Sequence, residues 1–237
     1  MLAVSLEGRV GPLSLVAAFD TSDGTVVVTG PNGSGKTSLL LMILGVKRPE
    51  RGRVTIDGVT LFDTEAGVDL PVEERRIGYL PQSFGLFPHL TARENVEFAL
   101  ACRSPVPPAR ARRDRARELF ADLGIEPLAE LRPSALSAGE RQRVALARAI
   151  AAEPRALLLD EPFAALDIGT RRNVRVFLRD YLARLRLPTV VVSHDAKDAQ
   201  AMAGTISVLE AGRIVQAGAW SELSGSPASE FVRELTT

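Results

Sequence analysis

Residues 30–37 read G-P-N-G-S-G-K-T, and the segments on either side give that run its meaning. Thr25-Val-Val-Val-Thr29 precedes it as a short β-branched run, and Ser38 to Leu44 follows as an apolar helical stretch. A strand that ends in a glycine-rich turn and then opens a helix reads as a phosphate cradle. Its glycines let successive backbone N–H groups converge on phosphate oxygens with no side chain in the way. The helix N-terminus adds a favourable dipole. Gly30, Pro31, Asn32, Gly33, Ser34, Gly35, Lys36, Thr37 and Ser38 are therefore the candidate nucleotide-binding residues. Lys36 is expected to reach the β- and γ-phosphates, and the Thr37 hydroxyl to ligate Mg2+.

Further short motifs follow in order. Gln82 lies in L-P-Q, residues 136–140 read L-S-A-G-E, residues 156–162 read A-L-L-L-D-E-P, and His194 lies in V-V-V-S-H-D. Ala156 to Asp160 and Pro188 to Ser193 are Leu-rich or β-branched on both faces, as in buried strands of a largely parallel sheet. Each apolar run ends at a motif, and ligands bind beyond the carboxyl ends of such strands. Asp160 is expected to hold Mg2+ through water, and Glu161 to act as general base on the attacking water. Taken alone, Gln82 reads as a loop residue and His194 as a satisfied core histidine. Their order and spacing after the cradle remove that ambiguity.

Between Ser83 and about Ala152 the strand signals vanish. Thr91 to Cys102 and Ala109 to Leu123 read as helices separated by the breaker Pro105-Val-Pro-Pro108, so a helical lobe is expected inside the α/β core. Arg110, Arg112, Arg113, Arg115 and Arg117 read as the solvated face of a helix rather than a contact patch. Leu2 to Leu15 and Val54 to Leu61 read as antiparallel strands with Asp57-Gly58 as a hairpin turn. Ser224 to Thr237 reads as a loop followed by a short helix.

The chain has 237 residues and is 46% hydrophobic, enough for one compact domain or one domain carrying a lobe. Lys plus Arg balances Asp plus Glu at 29 each, so bulk charge gives no reason to expect a nucleic-acid partner. The single cysteine, Cys102, excludes an internal disulfide framework and fits a reducing compartment. Met1 to Asp20 does not resemble a signal peptide, and the longest apolar stretch, Leu39 to Val46, falls short of the roughly 20 residues of a membrane helix. A soluble chain is expected, held at a membrane only by other chains.

At L-S-A-G-E-R-Q-R-V-A-L-A-R-A, from Leu136, the chain resembles the signature segment of ABC transporter ATPases. The resemblance runs from the first strands to about Leu235. It implies a P-loop NTPase of the α/β class: a RecA-like core near residues 1–82 and 153–237, with a mainly parallel sheet, an antiparallel β part and an inserted helical subdomain near 83–152. It implies ATP hydrolysis in a head-to-tail dimer, with ATP and Mg2+ between the cradle of one chain and the signature of the other. In that arrangement Ser137 and the Gly139 backbone contact the γ-phosphate in trans, at the start of the helix running from Glu140, itself counted among the nucleotide-site residues, and Asp167 acts across the dimer. Gln82 senses the γ-phosphate and Mg2+. His194 holds the γ-phosphate and positions Glu161. Two departures from the family pattern stand out. Ala138 replaces the usual first glycine of the signature, at about 1 kcal/mol or more if that position needs positive φ. Val10 stands where many members stack adenine on an aromatic ring, so weak base selection, with GTP able to replace ATP, is expected.

Leu61 to Val96, with P-V-E-E-R-R-I-G-Y and L-F-P-H-L, resembles the ATP-binding subunits of molybdate importers. That likeness implies import of molybdate, or of tungstate or sulfate, through permease subunits served by a periplasmic or extracellular binding protein. It places the chain at the cytoplasmic face of the membrane. The chain stops near the end of the ATPase domain, so no C-terminal regulatory domain is expected. The loop from Gln82 to His89 is expected to expose Phe84, Leu86 and Phe87 beside the helical lobe and to receive a coupling helix of the permease; the alternative is that the phenylalanines fill the lobe's own core. A non-transport ABC ATPase would carry coiled arms or tandem domains, and a small GTPase an N-K-x-D; the sequence has neither.

Overall fold

A computed structural model describes residues 1–237 apart from Asp23, Ser104 and Ala203. The chain opens with an antiparallel pair, β1 (Leu2–Val10) and β2 (Leu13–Asp20), and then β3 (Thr25–Thr29) leads into α1 (Lys36–Leu44). Next come β4 (Arg51–Ile56), β5 (Val59–Asp63), β6 (Val68–Asp69) and β7 (Ile77–Leu80). The following α-helices are α2 (Ala92–Ala101), α3 (Ala109–Asp122) and α4 (Ala138–Ala151). The chain then runs through β8 (Ala156–Asp160), α5 (Ile168–Leu185), β9 (Thr189–Val192), α6 (Ala196–Met202), β10 (Thr205–Glu210), β11 (Arg213–Gly218), α7 (Trp220–Gly225) and α8 (Glu230–Thr236).

The strands join in the order β6-β5-β4-β1-β2-β11-β10-β3-β9-β8-β7. From β10 to β7 every pairing is parallel, and from β6 to β2 every pairing is antiparallel. Burial follows this division. The parallel strands β8 and β9 are buried at every residue, whereas β1 alternates between buried and exposed positions. A parallel strand is covered on both faces; an antiparallel one can leave a face in water. Val27, Leu157, Leu159 and Val191 pack on the side of α2 to α6. Val26, Val28, Leu158, Val190 and Val192 pack on the side of α1 and the antiparallel strands.

The Asp57-Gly58 turn has φ of 49° and 78°, the primed geometry that suits hairpin twist. Between β7 and β8 the regular elements are helical, and α2 begins at Thr91 with a capping box to Glu94. Three arginines of α3 pair with acids of their own helix, Arg110 and Arg117 with Asp114 at 3.9 and 3.6 Å and Arg115 with Glu118 at 2.9 Å, as on a solvated face, whereas half-buried Arg112 donates to Pro107 O at 2.8 Å. Several boundaries differ from the sequence expectation: the N-terminal strand pair runs on to Asp20, and β4 and β5 together span Arg51 to Asp63 rather than Val54 to Leu61. α1 starts at Lys36 rather than Ser38, and Ser224 and Gly225 end α7 instead of forming a loop. Among the described residues no helix is long and apolar enough to cross a membrane.

Arg75 anchors the first helix. Its side chain is 1% exposed, a rare state for arginine unless every donor is satisfied. Nε donates to Leu70 O at 2.9 Å, Nη1 to Ile43 O at 2.8 Å and Met42 O at 3.3 Å, and Nη2 to Asp69 Oδ1 at 2.8 Å. The guanidinium thus satisfies the Ile43 carbonyl in the last turn of α1, where helix carbonyls run out of intrahelical partners, and adds a second donor to Met42 O, which also accepts from Gly45 N at 3.2 Å. Burial lowers its pKa, and the Asp69 carboxylate opposes that shift.

Candidate nucleotide site

Adjacent strands deliver the candidate residues side by side. β3 ends at the cradle, β9 at Ser193-His194, β8 at Asp160-Glu161 and β7 two residues before Gln82, and these strands are neighbours in the sheet. The site therefore sits beyond the carboxyl edge of the parallel strands. Its cavity is about 430 Å3 and is lined by Val10, Pro12, Leu13, Asn32, Gly33, Gly35, Lys36, Thr37, Ser38, Gln82 and Glu161. A larger cleft of about 680 Å3 opens near the amino ends of β3 and β9, and none of the motif residues lines it.

The cradle depends on Gly30. A Cβ at that position would lie 1.9 Å from Leu209 O, with φ at 153°, so no other residue fits. Lys36 Nζ donates to Gly30 O and Pro31 O, both at 2.8 Å, which bends the turn over the ammonium. Burial lowers the Lys36 pKa, while Glu161 and Asp160 pull it back. Ser34 is buried, and its hydroxyl has no hydrogen-bond partner.

Thr37 Oγ1 donates to Asp160 Oδ1 at 3.1 Å, and Tyr79 OH donates to Asp160 Oδ2 at 3.3 Å. Burial raises the Asp160 pKa against these two bonds. Tyr79 is pushed well above the ordinary phenol value, by burial first and by Asp160 second, so it stays a donor. A hydroxyl and a carboxylate this close are hard oxygen ligands of the kind Mg2+ takes. No group of three or more His, Cys, Asp and Glu among the described residues could hold a metal, so a Mg2+ here would need phosphate oxygens and water as its other ligands. The donor set fits that ion.

Glu161 has φ of 50°, in the left-handed region, and its carboxylate is 10% exposed. His194 Nδ1 lies 2.7 and 2.8 Å from the two carboxylate oxygens. A carboxylate only accepts, so Nδ1 carries the proton. The pair can hold a carboxylate in one orientation while leaving its second lone pairs for a water.

Ser137, Gly139, Glu140 and Asp167 do not line the cavity. Ser137 is the N-cap of α4: Glu140 N donates to Ser137 Oγ at 3.3 Å, and Ser137 N donates to Glu140 Oε2 at 2.7 Å. The Ser137 hydroxyl also donates to that carboxylate oxygen at 2.7 Å. These bonds from Ser137 hold the Glu140 pKa below the usual carboxylate range. Ala138 is the first residue of α4 and is not among the residues of positive φ, so the strain expected for alanine there does not arise. Asp167 caps α5, accepting from Gly169 N and Thr170 N at 3.1 Å each. Beside Asp167, Ile168 is 91% exposed.

The expected exposed aromatic cluster is only partly exposed. Phe84 is 4% exposed and belongs to the core, with φ of 63° turning its side chain inward. Arg148 fixes that turn by donating to Phe84 O at 3.0 Å and Gly85 O at 2.6 Å. Leu86 packs against the same core. Phe87 is half-buried and meets Phe98 edge-on at 4.8 Å. Buried Asn95 accepts from Phe87 N at 2.8 Å and donates to Phe87 O at 3.2 Å, holding the loop on α2. Sequence reasoning missed Phe98, which is 48% exposed. Its signal was an apolar residue off the buried stripe Ala92, Val96, Leu100 of α2.

The model of the ABC transporter family matches residues 18–164. Over 236 residues the chain is 39% identical to the molybdenum import ATP-binding protein ModC of Paramagnetospirillum magneticum, a match of 100% of this chain to 63% of that protein. It is 40% identical over 215 residues to the probable sulfate/thiosulfate import ATP-binding protein CysA of Chlorella vulgaris, covering 90% of this chain and 88% of the relative. It is also similar to the dimeric post-hydrolysis state of the ATP-binding cassette MJ0796 bound to ADP and Pi, with a TM-score of 0.74 and 30% identity over 92% of this chain and 98% of that one.

Proposed function

This chain belongs to the ABC transporter family and has its α/β P-loop NTPase fold, and we propose that it is the ATP-binding and hydrolysing motor subunit of an importer. The observation that carries the proposal is the row of groups at the ends of β3, β9, β8 and β7, with Glu161 held by His194 next to Lys36 and Thr37.

ATP enters the cradle, where backbone N–H groups and Lys36 hold its phosphates. Val10 supplies apolar contact to the base without a π-face, so base selection is weak and GTP can take the place of ATP. Thr37, Asp160 and Gln82 would hold Mg2+. That ion, when bound, neutralises charge on the β- and γ-phosphates. Glu161 takes a proton from the attacking water as its oxygen bonds to the γ-phosphorus, and the bond to the β-phosphate oxygen breaks. His194 already donates a hydrogen bond from its Nδ1–H to Glu161. To donate to the γ-phosphate as well, it must carry a proton on both ring nitrogens.

The rest of the site comes from a second copy of the chain. Ser137, Gly139 and Glu140 at the start of α4, together with Asp167, close over the nucleotide in a head-to-tail dimer. The helix N-terminus adds donors and a favourable dipole where charge develops. Closure drives the permease, which docks against Leu86, Phe87 and Phe98 on the cytoplasmic side of the membrane. The cargo is molybdate or a related oxyanion, delivered by a separate binding protein. Relatives named for molybdenum, sulfate/thiosulfate and Fe(3+) import are almost equally similar, so sulfate or the cargo of another importer is the alternative they support, and tungstate is a tetrahedral dianion like molybdate.

The test is ATPase rate in lipid with the permease and binding protein encoded beside it, adding molybdate, tungstate or sulfate, with Glu161→Gln as the inactive control. Stimulation by molybdate or tungstate alone supports the assignment. Stimulation by sulfate alone moves the cargo, and basal hydrolysis that survives Glu161→Gln removes the mechanism.

A further inference from the structure

His194 stands between two residues that are both tied to Asp198, Ser193 through the Asp198 carboxylate and Asp195 through the Asp198 backbone N–H. Asp198, in α6, is 1% exposed and is bonded on both oxygens. Its Oδ2 accepts from Ser193 Oγ at 2.9 Å and from Arg171 Nη2 at 2.6 Å. Its Oδ1 accepts from Arg175 Nε at 2.8 Å, and Arg175 Nη2 forms an ion pair with the same oxygen at 2.6 Å. On the other side of His194, Asp195 N donates to Ser193 Oγ at 3.2 Å, and Asp195 Oδ1 accepts from Asp198 N at 3.1 Å. Asp195 Oδ2 also faces Arg171 at 3.5 Å. Both arginines belong to α5, the helix that Asp167 caps, and Arg171 N closes its first turn onto Asp167 O at 2.8 Å.

A buried ion cluster of this kind adds little net stability, because desolvation offsets the attraction. What it does supply is direction, since a planar guanidinium bonded through two nitrogens permits one arrangement. The element so directed is the short loop whose His194 meets Glu161. We propose that Asp198, acting with Ser193, Arg171 and Arg175, is a positioning residue that sets the His194–Glu161 geometry and joins it rigidly to the Asp167 end of α5. The proposal rests on the hydrolytic roles given above to Glu161 and His194. Its consequence is that pressure on Asp167 from a second chain reaches His194 through the arginine pair, without passing through the sheet.

The test is steady-state ATP hydrolysis by the full chain carrying Ser193→Ala or Asp198→Asn, each alone and combined with His194→Ala. A loop released by about 1 Å lowers kcat by about tenfold or more while KM stays within about twofold, because the cradle is untouched. Adding either change to His194→Ala then lowers kcat no further, whereas a loss of general stability would add to it. The 15N signature of the His194 ring, read by NMR against the other histidine, His89, shifts in both variants. Wild-type kcat in both variants, a loss that adds to His194→Ala, or an unchanged ring signature would each overturn the proposal. Should Asp198→Asn fail to fold, Ser193→Ala, which removes a hydroxyl and no charge, decides the matter. Full activity in His194→Ala would instead sink the hydrolytic reading, and the ring signature would still decide whether this cluster orients His194.

Discussion

Replacing Arg75 with methionine keeps an apolar stem of similar length and removes every donor from an interior position. The Leu70 and Ile43 carbonyls lose charge-assisted partners at 2.9 and 2.8 Å, and Met42 O loses a weaker one at 3.3 Å. Met42 O keeps the Gly45 N–H at 3.2 Å, so the largest loss falls on Ile43 O, at the end of α1. An orphaned buried acceptor costs about 1–3 kcal/mol, and a hydrogen bond to a charged group contributes about 1.5–3 kcal/mol. Asp69, 38% exposed, regains water and limits the loss. The expected destabilisation is about 3–5 kcal/mol, a large fraction of the roughly 5–15 kcal/mol that holds a domain folded. The midpoint of urea unfolding should fall with an unchanged slope, and Tm should drop by roughly 10 °C. A loss below about 1 kcal/mol would mean that water replaces the guanidinium and that Arg75 does not hold the end of α1.

Ala138→Gly restores the usual family residue, yet it should destabilise the chain by about 0.5–1 kcal/mol in thermal melts, because the position is already helical; a gain in stability would show that the alanine is strained. Phe98→Asp should abolish cargo-stimulated hydrolysis in the reconstituted transporter and leave basal hydrolysis within about twofold, since Phe98 lies outside the nucleotide cavity; loss of the basal rate would point to packing instead. Hydrolysis rates for ATP and GTP should agree within about threefold, and a strong preference for ATP would contradict the role given to Val10. The Glu140 pKa is depressed in the folded chain, so its cap contributes stability above the unfolded carboxylate range and loses it as pH falls through the folded value. Glu140→Gln should therefore flatten the acid limb of the stability profile, and an unchanged limb would remove the linkage.

The parts of the site legible in the sequence are those fixed by local pattern. The cradle between β3 and α1, and the acidic pair after β8, each sit at the end of an apolar run whose burial is written in consecutive residues. The amphipathic helices α2 and α3 follow the same logic. β7, β10 and β11 were not read as strands, because short runs such as Ile77 to Leu80 and Arg213 to Gly218 mix apolar and polar residues. Phe84 was misjudged because a loop phenylalanine flanked by a glycine looks exposed, and only Arg148, far along the chain, reveals how the turn is held. Arg75, Tyr79 and Asp198 carry no local signal. Each is a polar residue whose burial depends on partners from other elements. The signature residues stand apart from the cavity in one chain, a separation the sequence cannot express.

The backbone of Glu161 has a bearing on laboratory evolution. A glutamate in the left-handed region sits about 1–2 kcal/mol above its preferred conformation, and glycine or asparagine would relieve much of that. A library of this chain sorted for heat resistance alone should therefore enrich Gly or Asn at position 161, raising the melting point while discarding the carboxylate we propose as the general base. Thermostable descendants of this protein would have to be screened for turnover in every round, because at this position the fittest backbone and the working enzyme are different sequences.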